Sequence, residues 1–376
     1  MPISEERCAW AVLARTPGLS LPLLSTALET LGGATGLVGA ADHSRARAGL
    51  PPAAREFLKS TAAVATAAER RWLEDPAHEL LGFDDPRFPP LLRAAGDCPI
   101  ALYVDGRIDA LAAPQLAIVG SRNPSAQGRE TAFAFSKYLA RQGLTITSGL
   151  AAGIDTEAHR GAIAGQGATI AVLGSGIDVI YPAENAALAA QITQHGALIS
   201  EFPLGTSVRR GNFPQRNRII AAMSSGTLVV EAARRSGSLI TARLAGENGR
   251  EVFAIPGSIH NPLARGCHQL IRQGAKLTET AEDILGELDF SGFIRHSETP
   301  EAAAMPDAPA AAGMDNDHKI LLDALGFDPA DIDTLVVRTG FKADAVSSMM
   351  LILELEGYVQ AAPGGRYSRV ARSLLG

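Results

Sequence analysis

The chain has 376 residues, 46% of them hydrophobic and 20% charged, with 34 basic side chains against 40 acidic ones and a net charge of −6. This length predicts two or three domains with buried cores, and because no apolar run of about 18 residues is free of charge, no membrane span is expected. The start, MPISEERCAW, lacks the basic and then apolar pattern of a secretory signal, and Cys8, Cys98 and Cys267 form neither a CxxC pair nor a disulfide framework, which fits a reducing cytoplasm.

Residues 1–75 read as short helices, with apolar stretches at Ala9–Leu13 and Leu19–Leu31, a Thr16-Pro17-Gly18 turn between them and a Gly32-Gly33 break after. Such helices form either a small DNA-backbone-binding module of the SAM or helix-hairpin-helix kind or, by preference, a helical cap on the next domain. Residues 76–115, with DDPRFPPLL and CPIALYVDG, read as a Pro-punctuated connection into the main domain, which runs to 290.

From 116 to 290 short apolar strands alternate with helices. The strands are QLAIVG (115–120), LTITSG (144–149), ATIAVLG (168–174), ALISEF (197–202), GTLVVE (226–231) and REVFAIPG (250–257). Near-continuous apolar strands between helices predict an α/β fold, an extended Rossmann-like parallel sheet covered on both faces. Residues 291–316, rich in Ala and Pro, read as a linker. The tail, 317–376, has the helix–helix–helix–hairpin order of a winged helix. It holds 6 basic and 8 acidic residues, and its recognition helix carries only Lys342 beside Asp344, Glu354 and Glu356. A helix that enters a duplex groove needs more positive charge, so a protein-interaction or dimer-packing role is expected.

Several chemistries are missing. There is no GxxxxGK[ST], no GxGxxG after the first strand, no GxSxG and no HExxH. His159, His195 and His260 read as helix-surface or loop residues rather than metal ligands. No metal and no cofactor is expected.

An acidic chain binds nucleic acid only through a local basic patch. Since 29 of the 34 basic residues are Arg, an Arg says little unless its position makes the case. Three places do. The turn after the first strand reads Gly120-Ser121-Arg122, where glycine lets an anion approach a helix N-terminus and Ser121 and Arg122 add donors. The segment Gly205–Arg243 holds seven Arg and a single acid, Glu231, in 39 residues. Its core includes Arg209, Arg210, Asn212, Phe213, Arg216, Asn217 and Arg218. A ring among cations and amides suits a single strand, with a base stacked on Phe213 and phosphates on the arginines. Finally Arg235, Gly237 and Ser238 lie where a strand ends and a helix opens. Several anion sites along one sheet edge suit a polyphosphate strand better than a single nucleotide. The turn Ser148–Asp155 reads differently, with Asp155 as a helix N-cap, because a carboxylate repels phosphate.

These segments resemble the DNA-processing protein A (Smf) family. The matching pieces are AIVGSRNPSAQGRE, TITSGLAAGIDTEAHRGA, TIAVLGSGIDVIYP, NFPQRNRIIAAMSSGTLVVEA, RSGSLITARLA and VFAIPGS, spread over about 80–290. The resemblance implies a non-catalytic homodimer that binds single-stranded DNA, protects incoming strands in natural transformation and loads the RecA recombinase onto them. By motif it carries contacts onto Arg122, Phe213, Arg216, Asn217, Arg218, Gly237 and Ser238. A catalytic rival rests on Ser225–Glu231, which resembles the Gly-Thr…Glu signature of nucleotide phosphoribohydrolases and would make Glu231 an acid or base.

Overall fold

The computed structural model of the protein describes residues 4–259, 261–288, 316–325 and 329–370. Six helices come first: α1 (Glu5–Arg15), α2 (Leu21–Leu31), α3 (Gly33–Gly39), α4 (Asp42–Arg47), α5 (Pro52–Lys59) and α6 (Ala67–Trp72). They do not close a core of their own. Trp10, Leu13, Leu24 and Leu37 share one buried cluster with Leu80, Tyr103, Leu173 and Leu188 of the following domain. Trp10 lies so close to Gly82 that a Cβ there would stand 2.0 Å from the indole. Polar ties add to this contact. Arg15 pairs with buried Glu69 at 3.1 Å, and the Tyr103 hydroxyl donates to the same carboxylate at 3.4 Å. The helical part therefore packs on the following domain through a shared core.

The stretch read as a connection contains two strands, β1 (His78–Gly82) and β2 (Ala101–Gly106), with the short helix α7 (Pro90–Arg93) between them. Pairing explains the difference. The prolines sit in the loop between the strands, and β2 gains an antiparallel partner on each side, Leu81↔Leu102 toward β1 and Tyr103↔Ser200 toward the strand described next as β6. Neither bond set is local, so neither is visible in a short window.

The expected alternation follows: β3 (Gln115–Val119), α8 (Ala126–Arg141), β4 (Thr145–Ser148), α9 (Ile154–Ala164), β5 (Thr169–Val172), α10 (Ala186–His195), β6 (Ala197–Ser200), α11 (Asn212–Met223), β7 (Gly226–Val229), α12 (Ser238–Glu247), β8 (Glu251–Ala254), α13 (Arg265–Arg272), β9 (Lys276–Leu277) and α14 (Ala281–Glu287). The nine strands lie in the order β1-β2-β6-β5-β4-β3-β7-β8-β9, all parallel from β6 to β9. Alternate residues of a strand face opposite sides. Leu116 and Ile118 pack with Ala132, Phe135 and Ala158 of α8 and α9. Ala117 and Val119 pack with Ile219 and Ile220 of α11 on the other face.

The tail forms α15 (Asn316–Leu325), β10 (Ala330–Asp331), α16 (Ile332–Thr339), α17 (Ala343–Leu355), β11 (Val359–Ala362) and β12 (Arg366–Arg369), with strand order β10-β12-β11. This is a winged helix with its own core of Leu321, Leu335, Val346, Met350, Leu353 and Val359. The outer face of α17 presents Asp344, Ser347, Ser348, Leu351, Ile352 and Leu355, with exposed Lys342 at the N-cap as the one cation. The expected linker, 291–316, lies outside the described residues except for Asn316 at the start of α15. Among the described residues no helix is long and apolar enough to cross a membrane.

Candidate nucleic-acid interface

From β3 the chain builds outward through β4, β5 and β6, while from β7 it builds the other way through β8 and β9. The carboxyl ends of β3 and β7 therefore flank the point where the winding reverses, where open parallel sheets place their ligands. The loops that follow β3, β4, β5, β6 and β7 all end at this edge. Helices α9, α11 and α12 start there, so their free N–H groups and positive dipole ends point toward it.

A cleft of about 210 Å³ opens at this edge, lined by Gly120, Arg122, Phe213, Arg216, Asn217, Gly237 and Ser238 among others. A smaller cavity of about 70 Å³ adjoins it and shares Arg122, Phe213 and Arg216, adding Gly149, Gly174 and Tyr181. Residues of three separate segments are thus brought together, while Arg209, Arg210 and Arg235 line neither space. The Arg122 guanidinium stands 4.9 Å from the centre of the Phe213 ring and separates the two spaces, a cation–π contact that orients the charge without neutralising it. Arg122, Arg209, Arg210 and Arg235 are exposed. Among the described residues none of the four is paired with a carboxylate.

The other predicted residues build the frame. A Cβ on Gly120 would come within 2.6 Å of Ile154, so this glycine brings the turn against α9. Ser121 Oγ accepts from the Asn123 N–H at 3.1 Å and keeps its proton free to donate. Asn212 donates to the Gly174 carbonyl at 2.9 Å, and Asn217 reaches the Gly237 carbonyl at 3.4 Å. Ser236 and Ser238 share a hydrogen bond of 2.7 Å between hydroxyls.

Arg216 is 3% exposed. It donates from Nη1 to the Val172 carbonyl at 2.8 Å, and its Nε has no partner. Burial pushes its guanidinium down to about 10 against the pull of Asp155. Asp155 does not cap α9 as expected. It lies inside the helix, buried, and accepts from the Gly149 and Ala151 N–H groups at 3.1 and 3.3 Å; burial pushes its carboxyl up and Arg216 pulls it down. Asp155 and Arg216 therefore lie beneath the loop 149–153, with Asp155 bonded to its N–H groups. Gly149 makes room for this, since a Cβ would fall 1.6 Å from Arg216 Nη1. His159 is likewise interior and not on the helix surface as expected. It is bonded to Thr169 Oγ1 at 2.7 Å, and burial drives it down to about 3, so it is neutral. His195 is half-buried at the end of α10, and His260 lies outside the described residues.

Arg218 is not brought into the cleft. It bonds to Glu201 and pairs with Asp97 at 3.3 Å. Burial pushes the Glu201 carboxyl up to about 7, with Arg218 opposing. Glu231, the rival catalytic group, accepts from the Ser125 N–H at 2.9 Å and the Ser125 hydroxyl at 2.6 Å, with the Asn261 amide at 3.4 Å. Its lone pairs thus clip the end of β7 to the start of α8. No group of His, Cys, Asp and Glu side chains among the described residues is arranged to hold a metal. Tyr181, which lines the smaller cavity, has only one local signal in the chain, an aromatic before proline in the loop after β5.

The family model described as DNA recombination-mediator protein A matches residues 79–289, and the model of the DprA winged helix domain matches residues 305–365. Protein Smf of Escherichia coli (strain K12) is 46% identical over 310 residues, which is 80% of each chain. The X-ray structure of DNA processing protein A from Streptococcus pneumoniae superposes with a TM-score of 0.65 at 36% identity, covering 76% of this chain and 99% of that one. The DNA processing protein A of Helicobacter pylori, solved for its single-stranded DNA binding mode, gives a TM-score of 0.52 at 27% identity, covering 57% of this chain and 96% of its own.

Proposed function

The chain belongs to the DNA recombination-mediator protein A family, and on that premise we propose that it binds single-stranded DNA along the cleft at the carboxyl edge of its sheet. Arg122, Arg209, Arg210 and Arg235 take phosphates, and helix N-termini with Ser121, Gly237 and Ser238 supply further donors. The protein shields incoming strands in the cytoplasm during natural transformation, acts as a homodimer and hands the strands to the RecA recombinase. It is a binding protein and not a catalyst.

One observation carries this reading. In an acidic chain, Arg122 and Phe213 line a cleft at the edge where three helices begin, and Arg209, Arg210 and Arg235, exposed and without acidic partners, lie in the loops that lead into α11 and α12. That pattern suits a backbone-tracking groove. Arg216 and Arg218 enter as supports, one under the loop and one tied to Glu201 and Asp97. The winged helix enters as a protein-contact module, because α17 has only Lys342, at its N-cap, to meet a duplex.

The test is fluorescence anisotropy with a labelled single strand of 30 to 40 nucleotides and its duplex, each over a salt series. Tight, salt-sensitive binding to the single strand with weaker duplex binding is expected, followed by stimulated strand exchange with RecA. Equal affinity for both forms would overturn the reading. Release of free base from nucleotides would revive the hydrolase alternative.

A further inference from the structure

We propose that Glu231 is a positioning residue for strand binding: from the end of β7 it fixes the turn 120–125, and through that turn it sets where Arg122 meets a phosphate. This deepens the single-strand reading and rests on it. Glu231 is the one acid among the seven arginines of Gly205–Arg243, and a carboxylate beside a phosphate path works against binding unless it is engaged elsewhere. It is engaged. Oε2 accepts from the Ser125 N–H at 2.9 Å, while Oε1 accepts from the Ser125 hydroxyl at 2.6 Å and from the Asn261 amide at 3.4 Å. Asn261 is itself oriented, since its Oδ1 accepts from the Leu263 N–H at 2.9 Å. Gly128 closes another side, where a Cβ would stand 2.5 Å from Oε2. Glu231 borders a cavity of about 420 Å³ but is only 8% exposed. A general acid or base needs a lone pair or proton directed at its substrate, and both oxygens here are turned to the protein.

What the carboxylate holds is one end of the turn that carries Arg122. Ser125 is the N-cap of α8, and its Oγ accepts from the Gly128 N–H at 3.0 Å. The other end is fixed by α9: the Ile154 N–H donates to the Ser121 carbonyl at 3.1 Å. Gly153 lets the two segments touch, since a Cβ there would stand 2.4 Å from the Ser121 oxygen and 2.7 Å from the Arg122 oxygen. Arg122 lies between these anchors with its guanidinium over the Phe213 ring. A cation on a turn already held at both ends meets a phosphate without the entropy cost of ordering that turn.

The test is a double-mutant cycle read by oligo-dT anisotropy over a salt series. Glu231→Gln keeps the shape but replaces one acceptor with a donor. It should weaken binding roughly 10-fold and move the salt slope from about −2.8 toward the value of about −2.1 expected for Arg122→Ala. In the Arg122→Ala background the same substitution should change neither affinity nor slope, because the contact it serves is gone. Ser125→Ala, which removes the hydroxyl bond alone, goes through the same cycle should Glu231→Gln fail to fold. A scaffold role acts in both backgrounds, so equal losses with and without Arg122 overturn this assignment alone, as does no loss in the single variant. Base release from nucleotides that Glu231→Gln abolishes would overturn it too. If wild-type protein binds no single strand, the functional reading falls and this one falls with it.

Discussion

Arg122→Ala separates a strand-binding cleft from a merely basic surface, because the arginines of this region fall into two states. Arg122, Arg209, Arg210 and Arg235 are exposed without acidic partners, whereas Arg218 is held by Glu201 and Asp97 outside the cleft. If each of the four free arginines meets one phosphate of a single strand, the log–log salt slope is about −2.8, and affinity falls roughly 50-fold between about 50 and 200 mM salt. Without Arg122 the slope becomes about −2.1 and the fall roughly 20-fold. Anisotropy titrations of a labelled oligo-dT at four or five salt concentrations resolve that difference. Arg218→Ala is the internal control. It should leave the slope unchanged while lowering unfolding stability, since it leaves the buried Glu201 carboxyl without its cation. An unchanged slope in Arg122→Ala, or an equal drop in both variants, refutes the reasoning.

Three further outcomes test the frame beneath the cleft. Arg216→Met leaves buried Asp155 uncompensated and should cost about 3–5 kcal/mol in urea unfolding; adding Asp155→Asn should recover much of it, and additive losses would contradict the coupling. Gly149→Ala forces a methyl into the Arg216 guanidinium and should destabilise by about 1–3 kcal/mol, a loss that thermal unfolding should find relieved when Arg216→Met is combined with it. His159 is neutral in the fold, lowered from 6.5 to about 3, so the unfolded chain binds its proton first as the pH falls. Its contribution is complete above pH 6.5 and is lost between there and about pH 3, at up to about 1.4 kcal/mol per pH unit. A His159→Gln variant whose stability keeps the same acid slope would remove His159 as the cause.

Much of this protein was legible along the chain. The strands of the main sheet announced themselves as short apolar runs ended by turns, because a strand buried on both faces must be apolar at every position. The helical order of the winged helix, the acidic character of its third helix and the basic segment Gly205–Arg243 needed only composition and spacing. The motif resemblance reached the family without any coordinates.

The tertiary structure decided what each residue does there. Strands β1 and β2 exist because of partners that lie far away in sequence, so local pattern read them as a connection. Arg216 and Arg218 stand two residues apart on one helix, and the sequence treats them alike. The helix turns one under the loop beside Asp155 and the other toward Glu201 and Asp97, while Arg122, from the turn after β3, meets Phe213. Likewise Asp155 and His159 lie within the helix in a pattern that allowed capping and surface roles, and only the packing of α9 put both in the interior. Composition counts charges, but burial and partners decide whether a charge is free for a ligand, and those depend on contacts between segments that the sequence keeps apart.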